Sequence, residues 1–104
     1  MKGKEKMTNG LESMIGKKYV VRTYSAGVHI GTLDWIDEGN PKVCRLKDCT
    51  RIWSWDGPPS LSGVAEKGIT GGKLHRHSEV TLTEAVEYLP ITEAALATLK
   101  EFYK

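Results

Sequence analysis

Two runs of β-branched and aromatic residues, at positions 19–24 and 28–36, constrain the fold of this chain most strongly. Such residues favour the pleated, half-buried surface of a β-strand. Ser25, Ala26 and Gly27 stand between the runs and are typical of a turn, so the two runs predict consecutive strands. Gly31 lies inside the second run, where it predicts a bulge or a close approach of another backbone.

Further strands are predicted at positions 43–46, 51–55, 73–83 and 86–90. We predict that residues 47–49 form a tight corner between two separate strands. Residues 60–68 predict a short helix with Ser60 as its N-cap and Gly68 as its C-cap. A last helix begins at Thr92, because the apolar residues that follow recur at helical spacing.

These elements predict an α+β domain. Its centre is a small antiparallel sheet or partly open barrel of five to six strands, with one mid-chain helix and a C-terminal helix packed on the sheet. The chain has 104 residues, which fits one domain. We assign residues 1–16 to an N-terminal tail with one helical turn, and residues 17–104 to the β-rich domain.

Composition narrows the classes of function. The net charge of +2 is too small to indicate a dedicated nucleic-acid binder by itself. No run approaches the ~18 apolar residues that a membrane span needs, so we expect no membrane partner. Cys44 and Cys49 are too few for a disulfide framework, and we expect reduced thiols in a cytoplasm.

The segment 51–57 is the most unusual, because two of the three tryptophans lie in it. On a regular strand Arg51, Trp53 and Trp55 share one face, which would be a flat aromatic and cationic surface. Such a surface suits a nucleotide, a nucleic-acid base or a protein partner. The alternative is that both tryptophans belong to the core, as large aromatic side chains usually do.

Other chemistry is weakly indicated. His75 and His77 with the two cysteines do not match zinc-finger ligand spacing, so we predict no metal and no cofactor. Residues 68–73 lack the spacing of a phosphate-binding loop. No serine stands in a nucleophile elbow, and we predict that the protein is not an enzyme.

The chain is similar to a family of small tailed-bacteriophage proteins of unknown function. The resemblance covers about residues 18 to 95 and departs from the family at Pro58 and Pro59, where small residues are usual. It is carried by Val21-Arg22-Thr23, by Ala26-Gly27-Val28-His29-Ile30-Gly31, by Arg51-Ile52-Trp53-Ser54-Trp55-Asp56-Gly57 with Ser60-Leu61-Ser62, and by the segment from Glu87 to Glu93.

The resemblance implies a phage gene expressed in the cytoplasm of a bacterial host. The first hypothesis is a non-enzymatic protein that sequesters or masks a host factor, such as a signalling nucleotide or a defence protein. Alternatives are a single-stranded nucleic-acid binder and a minor virion or assembly component. Exposed sheet edges would favour a homodimer or a higher homo-oligomer. The predicted binding residues are Arg22, His29, Arg51, Trp53, Trp55, Asp56, Ser60 and Ser62.

Overall fold

A computed structural model describes residues 10–103, and its centre is an open five-stranded antiparallel sheet. The predicted α+β class with two helices is confirmed. Most of the predicted N-terminal tail lies outside the described residues. The elements are a 3-10 helix Leu11–Met14, β1 Lys18–Thr23, β2 Val28–Ile36, β3 Cys44–Asp56, α1 Leu61–Lys67, β4 Gly71–Leu82, β5 Ala85–Pro90 and α2 Glu93–Lys100.

The strands lie in the order β4-β3-β2-β1-β5, and every neighbouring pair is antiparallel. Strands β1 to β4 therefore pair with their neighbours in sequence, and β5 returns to the outer side of β1. The outer strands β4 and β5 each pair on one side only within the described part of the chain. Both ends of the sheet consequently offer backbone hydrogen-bonding groups to another strand.

The predicted corner at residues 47–49 is wrong, because β3 runs without interruption from Cys44 to Asp56. Asp48 adopts a left-handed backbone with φ of 48°. The pairing of β3 with β2 shifts register between Ile30 and Thr32. The turn-like residues thus produce a bulge that bends a single strand, as an extra residue in one strand of a pair does.

Each face of the sheet contributes residues to a separate hydrophobic core. The face that we call the helical face packs against α1 and α2, whereas the opposite face is covered in part by the 3-10 helix. The helical-face core contains Val20, Ile30, Ile52, Val64, Ala65, Ile69, Leu74 and Leu99. The opposite-face core contains Tyr19, Val21, Leu33, Ile36, Cys44, Leu46, Cys49, Leu82 and Ala85.

Both helices begin at the predicted caps. The Ser60 hydroxyl accepts a hydrogen bond from the Gly63 N–H, and the Thr92 hydroxyl accepts one from the Ala95 N–H. Each cap satisfies a backbone donor that has no partner inside the helix, which stabilises a helix end by about 1 kcal/mol. The Ile69 N–H also donates to the Thr98 hydroxyl at 3.0 Å and ties the end of α1 to α2.

Candidate binding site

A cationic and aromatic surface lies on the opposite face at the β3–β4 end of the sheet. We call it the Trp53 surface and define it by Arg51 and Trp53 of β3 and by Lys73 and His75 of β4. Arg51 pairs directly with His75 across the two strands. Lys73 and His75 are two residues apart on one strand and therefore share a face. Trp53, Lys73 and His75 are exposed, and Trp53 exposes 55% of its surface.

Trp53 is held by its two neighbours on this surface. Its indole N–H donates to Nδ1 of His75 at 3.1 Å, and the two rings meet nearly edge to face. The Arg51 guanidinium lies over the Trp53 ring, 5.1 Å from its centroid. A guanidinium at this distance from an indole is attracted by the ring quadrupole, by about 0.5–1 kcal/mol at an exposed site. The Trp53 side chain is thus both oriented and accessible.

Next to Trp53 and on the same face of the sheet lie three side chains with buried nitrogen atoms, His29, Arg51 and His77, which we call the histidine layer. His29 of β2 lies opposite Arg51 in the sheet and is completely buried. The His29 and His77 rings lie 6.1 Å apart, centroid to centroid. Nε2 of His29 is 3.5 Å from an Arg51 Nη atom. Three basic side chains therefore meet in one part of the interior.

The hydrogen bond of His29 to the backbone fixes its protonation. Nε2 of His29 lies 2.9 Å from the Ala26 carbonyl oxygen, which can only accept, so Nε2 carries the hydrogen. Burial lowers the pKa of His29, the hydrogen bond to Ala26 raises it, and the charges of Arg51 and His77 lower it. At neutral pH, which is above its ordinary pKa of about 6.5, His29 is therefore a neutral imidazole whose Nδ1 is an acceptor.

No carboxylate in residues 10–103 neutralises Arg51. The ion pairs of this part of the chain join Arg22 to Glu87 at 3.0 Å, and Arg45 and Lys47 to Asp34. The contrast with Arg45 is informative, because Arg45 also lies over a tryptophan, Trp35, at 5.8 Å. Arg45 has the Asp34 carboxylate at 2.9 Å, whereas Arg51 has no ion pair with any of the described residues.

The structure separates the predicted site residues. Trp55 does not share a face with Trp53, because the β3–β4 register shifts between Ile52 and Ser54 and leaves Trp53 unpaired. Trp55 is half-buried against the helical-face core and its indole N–H donates to the Pro58 carbonyl at 2.9 Å. The prediction of one face for both tryptophans is therefore wrong.

The remaining predicted residues also lie apart from Trp53. Arg22 pairs with Val28, which belongs to the helical face, and its charge is neutralised by Glu87. Asp56 ends β3 opposite Gly71. Ser60 caps α1 and Ser62 is exposed on that helix. Of the eight predicted residues, the structure brings together His29, Arg51 and Trp53.

Sequence reasoning did not assign Lys73 and His75 to the Trp53 surface, and it did not assign His77 to the histidine layer. The alternation of Lys73, His75 and His77 along β4 was a signal that these side chains share a face. The sequence did not indicate that β4 pairs with β3, and only that pairing puts these side chains beside Arg51 and Trp53. Within residues 10–103 no group of three or more His, Cys, Asp or Glu side chains could hold a metal ion.

A second concave surface lies at the opposite edge of the sheet, beside β5. It encloses about 890 Å³ and is lined by apolar and polar side chains, among them Tyr24, Pro41, Lys42, Val86 and Tyr88. The Tyr88 hydroxyl donates to the Pro41 carbonyl at 2.7 Å and so fixes the loop that follows β2. This cavity lacks the neighbouring arginine and tryptophan that distinguish the Trp53 surface.

No helix among the described residues has the length and apolar character to cross a membrane.

Comparisons with known proteins identify a family and a fold. Residues 16–99 match the model of a family described as a domain of unknown function (DUF6948). No curated protein matches the chain significantly. Among solved structures, the chain is similar to a heptameric archaeal Sm protein, described with its implications for the eukaryotic snRNP core, with a TM-score of 0.57 and 15% sequence identity. The similarity covers 82% of this chain and 100% of that one, and it shows a shared Sm-like fold.

Proposed function

Since this chain belongs to the DUF6948 family, whose domain is described as of unknown function, we propose a function from the site itself. The protein is a non-enzymatic binding protein whose Trp53 surface takes a ligand that combines a flat ring with negative charge. Phosphorylated nucleosides have this chemistry, either as free nucleotides or within a single strand of nucleic acid.

The observation that supports this proposal most is the pairing of an exposed Trp53 with Arg51, which has no carboxylate partner in the described part of the chain. An exposed indole offers a surface on which a base stacks, which stabilises binding by about 1–3 kcal/mol per base. An arginine without a counter-ion supplies charge-assisted hydrogen bonds to phosphate oxygens. Lys73 and His75 add a further positive charge and a polar group at the rim of the same surface.

The biological setting belongs to the proposal too. In the bacterial cytoplasm that the resemblance to phage proteins implies, such a protein would sequester a host factor, such as a signalling nucleotide, or mask a defence protein. A role in the virion remains an alternative, and it predicts that the protein is present in purified particles.

We also propose that the protein forms a homo-oligomer through its open sheet edges. The free edge of β4 extends over 12 residues and that of β5 over 6 residues. Long unpaired edges readily pair with another chain. The Sm protein of similar fold is heptameric, which favours an oligomer here. Native mass spectrometry should show a species of more than one chain, and a monomer at micromolar concentration would refute this part of the proposal.

Ligand binding is tested by the quenching of tryptophan fluorescence with nucleoside monophosphates and single-stranded oligonucleotides. We expect saturable quenching that disappears in Trp53→Leu. Trp35→Leu is the matched control, because Trp35 is also exposed and also lies beside an arginine, although one neutralised by Asp34. Equal loss in the two variants, or no saturable quenching in the natural protein, would refute the proposed function.

A second pair of variants tests the charge. Arg51→Met should weaken binding by about tenfold or more, which is the usual effect of removing one charge-assisted hydrogen bond. Arg76→Met is its control, since Arg76 lies one rung away, pairs with Thr50 and packs over Tyr103 on the helical side. The salt dependence distinguishes a free nucleotide from single-stranded nucleic acid. Affinity for single-stranded nucleic acid falls steeply as the salt concentration rises, because binding releases counter-ions.

A further inference from the structure

Three buried nitrogen atoms in the histidine layer have no hydrogen-bond partner among residues 10–103. They are Nδ1 of His29, Nε of Arg51 and Nε2 of His77. Buried polar groups are nearly always hydrogen-bonded, because an unsatisfied one costs about 1–3 kcal/mol. Three such atoms on neighbouring side chains of one sheet face can therefore bind one polar group.

The hydrogen-bonding roles of these atoms define that group. Nε of Arg51 can only donate. Nδ1 of a neutral His29 can only accept, since Nε2 of the same ring donates to the Ala26 carbonyl. For the same reason Nε2 of His29 cannot accept from the Arg51 Nη atom that lies 3.5 Å away. A group that satisfies these atoms accepts from Arg51 and donates to His29, and a negative charge on it pairs with the Arg51 guanidinium.

We propose that the histidine layer is the subsite for a terminal phosphate group, a phosphate monoester. A singly protonated phosphate has oxygens that accept from Arg51 and His77 and a hydroxyl that donates to His29. A phosphodiester or a sulfate lacks that hydroxyl at neutral pH. This inference rests on the proposed function and refines it, because it selects a nucleotide or a phosphorylated strand end over the interior of a strand.

Trp53 lies against one of the three side chains of this subsite, Arg51. It covers one face of the Arg51 guanidinium, and its indole makes one hydrogen bond, to His75. All three nitrogen atoms are shielded from solvent, and Nε of Arg51 becomes accessible when the exposed Trp53 side chain turns away from Arg51. The displaced indole is then available to stack on the ring of the same ligand. Phosphate binding is thereby coupled to the position of Trp53.

The experiment is a titration of the natural protein, with ¹⁵N-labelled histidines, followed by NMR. The probes are methyl phosphate, dimethyl phosphate and sodium sulfate at equal ionic strength and at about pH 6, near the second pKa of a phosphate monoester. We expect methyl phosphate to shift the His29 and His77 signals saturably, with an affinity at least about tenfold higher than that of dimethyl phosphate or sulfate. The shifts should disappear in Arg51→Met and persist in Arg76→Met.

Equal responses to the three probes, or no response of either histidine, would overturn the phosphate subsite. This comparison uses the natural protein, so it stands even where Arg51→Met fails to fold. The inference and the proposed function fail separately. If unphosphorylated nucleosides quench Trp53 as strongly as nucleotides, ring stacking stands and the subsite fails. If methyl phosphate binds and no nucleotide binds more tightly than it, the subsite stands and the proposed function fails.

Discussion

Trp53 and Trp55 stand two residues apart on β3 and lie on different faces of the sheet. Trp53 contacts Arg51 and His75, whereas Trp55 packs on the helical-face core. The register shift after Ile52 separates them, because the unpaired residue reverses the alternation of side chains. The two tryptophans are therefore expected to have different roles.

Substitution of the two tryptophans should separate stability from binding. Trp55→Ala should lower the free energy of unfolding by about 3 kcal/mol, since it opens a gap beside the core. Trp53→Ala should change it by less than about 1 kcal/mol, because its side chain is exposed. Urea unfolding followed by circular dichroism measures both. Equal destabilisation by the two changes would contradict the assignment of Trp53 to a surface.

The buried His29 should make stability depend on acid. Because burial lowers its pKa in the folded state, the unfolded chain binds the proton more tightly. Above the unfolded pKa of about 6.5, His29 is neutral in both states and its contribution to stability is complete. This contribution is lost as the pH falls below about 6.5 towards the pKa of His29 in the folded state. The free energy of unfolding should fall by up to about 1.4 kcal/mol per pH unit in that window.

His29→Gln is the control for this pH dependence. Glutamine can still donate to the Ala26 carbonyl and does not titrate. The variant should show a shallower fall of stability with acid, whatever its stability at neutral pH. An unchanged slope in urea titrations between about pH 4 and pH 7 would assign the effect to other groups.

Gly31 lies against a neighbouring strand where a side chain has no space. A Cβ atom built at this position would lie 2.8 Å from the Cys49 Cβ and 3.0 Å from the Lys47 carbonyl oxygen. Gly31→Ala should therefore destabilise the protein by about 1–3 kcal/mol, because the two strands must move apart. Gly39→Ala is the control, since its Cβ would meet no atom closer than 3.6 Å. Thermal unfolding should show a lower midpoint for the first variant and little change for the second.

The two thiols should be unreactive in the folded protein. Cys44 and Cys49 are free and buried, and burial raises the pKa of each thiol. Because the thiolate is the reactive form, both thiols should react with Ellman's reagent much more slowly than a free thiol at neutral pH. Both should react at once in denaturant. Rapid reaction of one thiol under native conditions would show that its part of the opposite-face core opens.

Several elements were predictable from the residues alone. The alternation of β-branched and aromatic residues predicted β1 and β2 with nearly the bounds that the structure has, and Ser60 and Thr92 predicted both helix starts. These features depend on local preferences of a few consecutive residues. The close approach at Gly31 was also predicted, because glycine inside a strand indicates a contact that excludes a side chain.

The candidate site could not be predicted to the same extent. Residues 47–49 were predicted to form a corner, since aspartate favours turns. In the structure Asp48 instead forms a bulge within one long strand, which pairs with its neighbours on both sides. The second register shift, beside Trp53, has no local sequence signal at all. It depends on how β3 and β4 align over their whole length, and it decides which tryptophan faces Arg51.

The sequence by itself determined the α+β class, the turn at residues 25–27, the helix caps and the residues of the unusual tryptophan segment, because these follow from short-range conformational preferences. Only the tertiary structure decided that β4 lies beside β3, that His29 and His77 are neighbours 48 positions apart in the chain, and that Arg51 has no carboxylate partner in residues 10–103. The physical reason is that strand pairing joins distant segments, and the register of that pairing sets the face on which each side chain lies.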